Sequence, residues 1–463
     1  MASFDGFHSE WNLGSPGGWD YQRLTQEIAR VVWREINRIK PIDLELDFDH
    51  PLLYPVVGFA DMLVETHRQR RSAGGDVIAV VAEQETLAEV TENFNLAERL
   101  GRYQGITGVL AAPHEFELKN GRVCHRGREV SLLFMDFNND VLLKLHRVHD
   151  LTPLLQAVRE NRVLNPRGTE PINVKSMFEV ITGPGRNRFH EETVVRTPWT
   201  RRFFERSTYG PAGEKISDLV EWTRRNWSGL VLKPERGYSG VGVRVGGVHH
   251  DCEETIRLAL KRGGYIVQQK IALEQWAEWI PELDTGDNRV ELVQRQTDFR
   301  CLLGPGRIFG FLCRYGDVPT NVGSGGGVQP LAVLRSPITV REAVHRINSA
   351  LLELDAAQWA AVEAQQNDLA IKAKFVYLLG PIKISLRPRI VTEQQLIDLK
   401  TYCRAMWADC LTLERMWLEG ALDSYVDIEP EELEIARAQP WRGGPAIFAS
   451  DGLFSFGAHL EES

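Results

Sequence analysis

The stretch GLVLKPERGYSGVGVRVGG, Gly229 to Gly247, decides how the chain is read. Leu230, Val231 and Leu232 form an apolar run of buried-strand type, followed by Lys233, a proline, and a loop holding Gly237, Ser239 and Gly240. Val241, Val243 and Val245 then bring the chain back. In a strand, glycine loop and returning strand, the tip can lie close over a ligand, because glycine lets backbone N–H groups approach phosphate oxygens with no Cβ in the way. A lysine at the end of the first strand adds a point charge under that loop. The same residues also fit an ordinary glycine-rich hairpin with a surface lysine, so the choice rests on the remaining sequence.

Composition narrows the field. The 463 residues suffice for two or three packed units, and 43% hydrophobic with 25% charged residues is the make-up of an ordinary globular protein. A net charge of −9 argues against nonspecific nucleic-acid binding. No apolar run approaches the roughly 20 residues that span a bilayer, and the N-terminus does not read as a signal peptide. Cys124, Cys252, Cys301, Cys313, Cys403 and Cys410 show no CxxC spacing, which suits reduced thiols. The expectation is a soluble, cytoplasmic α/β protein.

Upstream of the glycine stretch, residues 7–11 alternate as a strand, and Glu10 and Asn12 stand two apart on it. Their oxygens therefore share a face, an arrangement that suits magnesium when phosphates complete the coordination; a frayed terminus is the alternative. Residues 20–40 have helical apolar spacing. Glu45, Asp47 and Asp49 form an acidic cluster that fits either a second metal site or a solvated edge strand. A helix over 59–68, a strand over 76–82, a helix over 83–100 and an apolar run over 105–112 predict a small doubly wound unit. No GxGxxG follows its first strand, which argues against a dinucleotide site. An NPRG turn at 165–168 precedes Lys175, which opens a short predicted helix, KSMFEVI, against the helix-dipole preference.

Downstream, the strand GYIVQQKIAL at 264–273 offers an apolar wall for a purine, with the main chain of Gln269 to Ile271 imitating a base-pairing edge. Residues 297–303 and 308–314 predict a hairpin that turns Arg300 and Arg314 toward one site. Asn321 and the glycines of 323–327 make a second anion-friendly loop. Helical spacing follows over 340–354, 356–373 and 393–425, the last long enough for two helices, before the strand-like tail AIFASDGLFSFGAHLEES.

In order and spacing these motifs resemble the ATP-grasp superfamily, specifically the circularly permuted branch of eukaryotic glutathione synthetase and the glutathionylspermidine synthetases. EWN (Glu10 to Asn12) resembles the Glu-x-Asn magnesium motif, and NPRGTEPINVK resembles the segment whose lysine, here Lys175, binds nucleotide. LVLKPERGYSGVGV resembles the second lysine, Lys233, and its phosphate loop, here Gly237, Tyr238, Ser239 and Gly240. YIVQQKI resembles the adenine hinge, here Gln268, Gln269, Lys270 and Ile271. DFR and LCR resemble the acyl-phosphate region, with Arg300 and Arg314 as its catalytic arginines. The resemblance covers about residues 5–330. It implies an α/β (α+β) ATP-grasp fold, circularly permuted, with a small Rossmann-like substrate domain and a helical C-terminal part. The implied layout is a metal-bearing strand and helix (1–50), the substrate domain (51–160), the nucleotide-binding region (161–335), and a helical region whose tail strand returns to the active site (336–463).

The ends depart from the family pattern. A helical segment and an aspartate-bearing strand usually precede the Glu-x-Asn strand, whereas here Glu10 is near the start and Asp451 lies in the tail. The expectation is that the tail strand pairs beside the head strand and that Asp451 joins Glu10 and Asn12 around the metal; the alternative has the tail completing a neighbour's site in a homodimer. The implied activity is an ADP-forming carboxylate–amine ligase using ATP and Mg2+. Its substrates would be a small carboxylate, such as an amino acid or peptide, and an amine, with neither nucleic acid nor membrane as partner. A catalytically silent ATP-grasp relative serving as a nucleotide-binding scaffold is the alternative.

Overall fold

The chain's two ends meet in one sheet. In the computed structural model, which describes residues 3–70, 75–237, 241–248, 251–272, 276–317, 320, 322, 325–377 and 380–458, the head strand Asp5–Asn12 pairs antiparallel with the tail strand Phe448–Ser455. Tyr238, Ser239 and Gly240 of the expected phosphate loop lie outside the described residues, as do Asn321 and Gly323.

The tail strand in turn pairs with Arg289–Gly304, which forms a hairpin with Arg307–Gly316. Every residue from Phe448 to Ser455 is buried, as a strand enclosed on both faces and both edges must be. One face of this sheet packs on the helix Glu393–Leu418, whose buried Leu396, Leu399, Cys403, Met406, Cys410, Leu413 and Trp417 recur at helical spacing. That helix is a single element, not two. It opens on a capping box in which Thr392 Oγ1 accepts from Gln395 N (3.2 Å) and Gln395 Oε1 accepts from Thr392 N (2.8 Å).

A second sheet carries the parallel strands Thr107–Ala111, Val77–Val81, Arg128–Met135 and Val163–Leu164, in that spatial order. Alternate residues serve two apolar layers: Ile78, Val80, Leu132 and Phe134 on one side, Val77, Ala79, Leu133 and Met135 on the other. The helix expected over 83–100 starts only at Thr91. Of residues 83–90 none is buried, so there is no apolar stripe to hold a helix there.

A third, antiparallel sheet holds the glycine stretch, in the order Arg244–Val245, Leu230–Pro234, Tyr265–Gln269, Thr200–Arg202. Leu230, Leu232, Tyr265 and Val267 face a core shared with Trp199, Ile256 and Ala259. Lys233 and Glu235 point the other way, toward the head strand. The fold is thus a mixed α+β arrangement of several sheets with flanking helices.

The acidic cluster is an edge. Leu46–Asp47 pairs with Leu331–Leu334, Asp47 meets Arg335 at 2.7 Å, and Asp49 meets Arg30 at 2.6 Å. All six cysteines are free thiols, and among the described residues no helix is long and apolar enough to cross a membrane.

Candidate functional site

A bulge in the head strand creates the site. Pairing runs in register from Asp5↔Ser455 to His8↔Gly452, then skips Ser9 and resumes at Glu10↔Asp451. Strict alternation would put His8, Glu10 and Asn12 on one face; the extra residue turns His8 and Trp11 to the core and Glu10 and Asn12 to the opposite side. His8 is fully buried between the Tyr402 hydroxyl (2.9 Å) and the Thr197 hydroxyl (2.8 Å). Burial, reinforced by Arg196, holds its pKa down at about 3, so it stays neutral.

On the other face two lysines from separate segments approach the bulge. Lys175 Nζ lies 3.3 Å from Glu10 Oε1 and donates to the Gly237 carbonyl at 3.1 Å. Lys233 Nζ donates to Gln268 Oε1 at 2.7 Å and reaches the Ser9 carbonyl at 3.5 Å. Burial pulls the Lys233 pKa down to about 8; Glu10 works against this and Lys175 adds to it. The lysines are thus close enough to repel, the local field that a polyanion relieves.

Glu10, Asn12, Glu170, Asn173, Lys175, Glu235, Arg236 and Gly237 line a cavity of about 20 Å³ between the head strand and the glycine stretch. That is room for about one water. Asn173 fixes the turn after the head strand by accepting from Leu13 N at 2.7 Å. Asn165 ties head to tail, donating to the carbonyls of Leu13, Gly14 and Ile447 and accepting from Ile447 N.

Arg300 and Arg314 do reach one place, but paired. Glu10, Asp451 and Arg300 form a row across three adjacent strands. Arg300 grips Asp451 through Nε and Nη2, both at 2.6 Å, and donates to the Gly17 carbonyl at 2.8 Å. Arg314 takes both oxygens of Asp298 and stands 3.3 Å from Asp451. Burial pushes the Asp451 pKa up, but Arg300 and Arg314 outweigh it and leave the carboxyl below its usual range.

Two expectations change. The tail strand does lie beside the head strand, within the one chain, yet Asp451 is the counter-ion of Arg300 and Arg314 with both oxygens engaged, so it is not a free metal ligand. Among the described residues no three His, Cys, Asp or Glu side chains converge as a metal-binding group. The expected adenine hinge is narrowed, since Gln269 N and Lys270 N donate to the carbonyls of Trp199 and Gly229, both at 2.8 Å, so neither of these two amides is left to offer a base edge. Ile271, next along, is half-buried. The Gln268 side chain serves Lys233 and Thr200 instead.

Sequence reasoning missed Glu170 and Glu235. Burial raises the Glu170 pKa to about 7 against the pull of Arg167 and Arg236, and raises that of Glu235 against Arg202. The only signal was their position, five residues before Lys175 and two after Lys233.

No family model and no curated protein matches the chain. Among solved structures, the D-alanine–D-alanine ligase of Bacillus anthracis is similar at a TM-score of 0.30 and 11% identity, over 62% of this chain and 79% of that one. So loose a likeness carries no weight for fold or function.

Proposed function

We propose that the protein is an ATP-dependent, ADP-forming carboxylate–amine ligase of the circularly permuted ATP-grasp type, acting through an acyl phosphate. One observation carries the reading: at the head-strand bulge Lys175 meets Glu10 and Lys233 reaches the Ser9 carbonyl, with Gly237 of the glycine stretch against Lys175. Two ammonium groups of which one is buried enough to lose half its charge near pH 8 make a site suited to phosphate oxygens.

Glu10 and Asn12 fit Mg2+ by donor chemistry. Both present oxygen on one face, Glu10 is 37% exposed, and Asn12 Oδ1 accepts only a long 3.3 Å bond from Gly14 N. A magnesium ion held there would neutralise phosphate charge. Lys175 and Lys233 would hold the triphosphate for transfer of its terminal phosphoryl group to the carboxylate. Arg300 and Arg314, kept in place by Asp451 and Asp298, would meet the acyl phosphate by exchanging a carboxylate for a phosphate oxygen. The residues of the glycine stretch would close over the nucleotide and keep water from the intermediate. An amine then attacks the acyl carbon, the C–N bond forms, and inorganic phosphate leaves. The substrates are read as an amino acid or peptide carboxylate and an amine, in the cytoplasm.

The pairing of both arginines favours one second reading, a silent relative that binds nucleotide without turnover. Release of ADP and phosphate from MgATP against pools of amino acids and amines, with hydroxylamine as trap, separates the two. Turnover that needs a carboxylate and yields a hydroxamate supports the ligase; nucleotide binding without turnover by any pool refutes it and leaves the scaffold.

A further inference from the structure

On the face of the main sheet opposite Glu10, the helix Glu393–Leu418 and the turn joining Arg289–Gly304 to Arg307–Gly316 enclose a cavity of about 370 Å³. That volume is within the range of small-molecule sites, roughly 300–1,000 Å³. Part of its wall is apolar, formed by Leu52, Ile308, Cys403 and Trp407. The Trp407 ring is itself held between Trp441 and Phe448, each with its ring centre 4.9 Å away.

Every charged residue lining this cavity is positive: Arg307 at the hairpin turn, Lys400 and Arg404 on the helix. The chain as a whole carries −9, and cavities of about 1020 and 490 Å³ elsewhere line both signs, Glu191 with Arg196 in one and Glu434 with Arg159 in the other. Lys400 and Arg404 stand one helical turn apart, where like charges destabilise the helix. Among the described residues neither makes a hydrogen bond or an ion pair. Arg307 meets Glu65 at 3.1 Å, but both side chains are exposed and such a pair is weak. Nothing lining the cavity therefore offsets its charge, and an anion would.

We propose that this cavity binds a small organic anion, with Lys400, Arg404 and Arg307 on its charged head and Trp407, Leu52 and Ile308 against an apolar body. Guanidinium forks and an ammonium suit a carboxylate or a phosphate head alike. A cation is repelled, and a bare inorganic anion leaves the apolar wall uncovered. The site lies apart from the lysine cleft and does not depend on the ligase reading.

The test is a calorimetric titration of the full chain at pH 7, without nucleotide, using phenyl phosphate, phenylacetate, phenylacetamide and inorganic phosphate as separate titrants. Saturable one-site binding of phenyl phosphate or phenylacetate is expected, the tighter of the two naming the head. Phenylacetamide should not bind, and inorganic phosphate should bind about tenfold more weakly or worse. Lys400→Gln and Arg404→Gln should each weaken the aromatic anion about tenfold. Each should melt at or above the wild-type temperature, since each removes a like-charge contact, and either serves if the other does not fold. Lys233→Met should bind the anion as the wild type does. Binding of neither aromatic anion overturns the proposal, as does equal binding of phenylacetamide or of inorganic phosphate. Unchanged affinity in both glutamine variants also overturns it, and loss of binding in Lys233→Met overturns it by assigning the anion to the lysine cleft.

Discussion

Replacing Lys233 by methionine should make the protein more stable and abolish its function. The buried ammonium has its pKa drawn from 10.5 to about 8. At about 1.36 kcal/mol per pH unit, that depression corresponds to about 3 kcal/mol of folding free energy lost to holding the charge at pH 7. Methionine removes this penalty but leaves Gln268 Oε1 without its 2.7 Å donor, at about 1 kcal/mol. The net expectation is a gain of about 2 kcal/mol at pH 7. Between pH 8 and 10.5 the unfolded wild-type chain binds more protons at this lysine than the folded one, so wild-type stability rises with pH across that window. The advantage of the variant therefore shrinks from pH 8 and is gone by about pH 10.5. Urea unfolding of both proteins at pH 7, 9 and 10.5 measures it. A variant less stable than wild type at pH 7, or a difference constant with pH, would refute the reasoning.

Two more substitutions probe the frame around the site. Asp451→Asn removes the counter-ion shared by Arg300 and Arg314 and should cost about 3–5 kcal/mol in urea unfolding at pH 7. Because the folded pKa of Asp451 is depressed, its contribution is present above the unfolded value near pH ~4 and is lost as pH falls through the folded value, so the gap to wild type must narrow in acid. Asn165→Ala orphans Ile447 N and the carbonyls of Leu13, Gly14 and Ile447. It should cost about 2–4 kcal/mol and speed hydrogen exchange at the Ile447 amide; exchange at the wild-type rate would show that head and tail are held without Asn165.

Much of the frame was legible in the sequence. Alternation and apolar runs marked the strands Leu230–Pro234 and Val77–Val81, whereas the pairing of Phe448–Ser455 beside Asp5–Asn12 was expected only through the family resemblance, which gave the aspartate of a strand-like tail its place. The site was less legible, for physical reasons. The bulge at Ser9 goes with contacts to distant segments, since it turns His8 to the core between the Tyr402 and Thr197 hydroxyls. Arg300 and Arg314 were expected to be open to a ligand; their pairing with Asp451 and Asp298 follows from cross-strand register, which no local pattern reports. The Gln269 and Lys270 amides went to Trp199 and Gly229 through contacts with neighbouring segments. Glu170 looks like a surface residue in a sequence and becomes informative only once it is buried with one oxygen unpartnered.

The central claim, that Lys175 and Lys233 hold a nucleotide triphosphate at the head-strand bulge, is tested most directly by calorimetric titration of MgATP into the wild type and Lys233→Met at pH 7. The account predicts one saturable site in the wild type, weakened by about 10- to 100-fold in the variant, the loss of one charge-assisted phosphate contact. No binding to the wild type, or equal affinity for a folded variant, would contradict it.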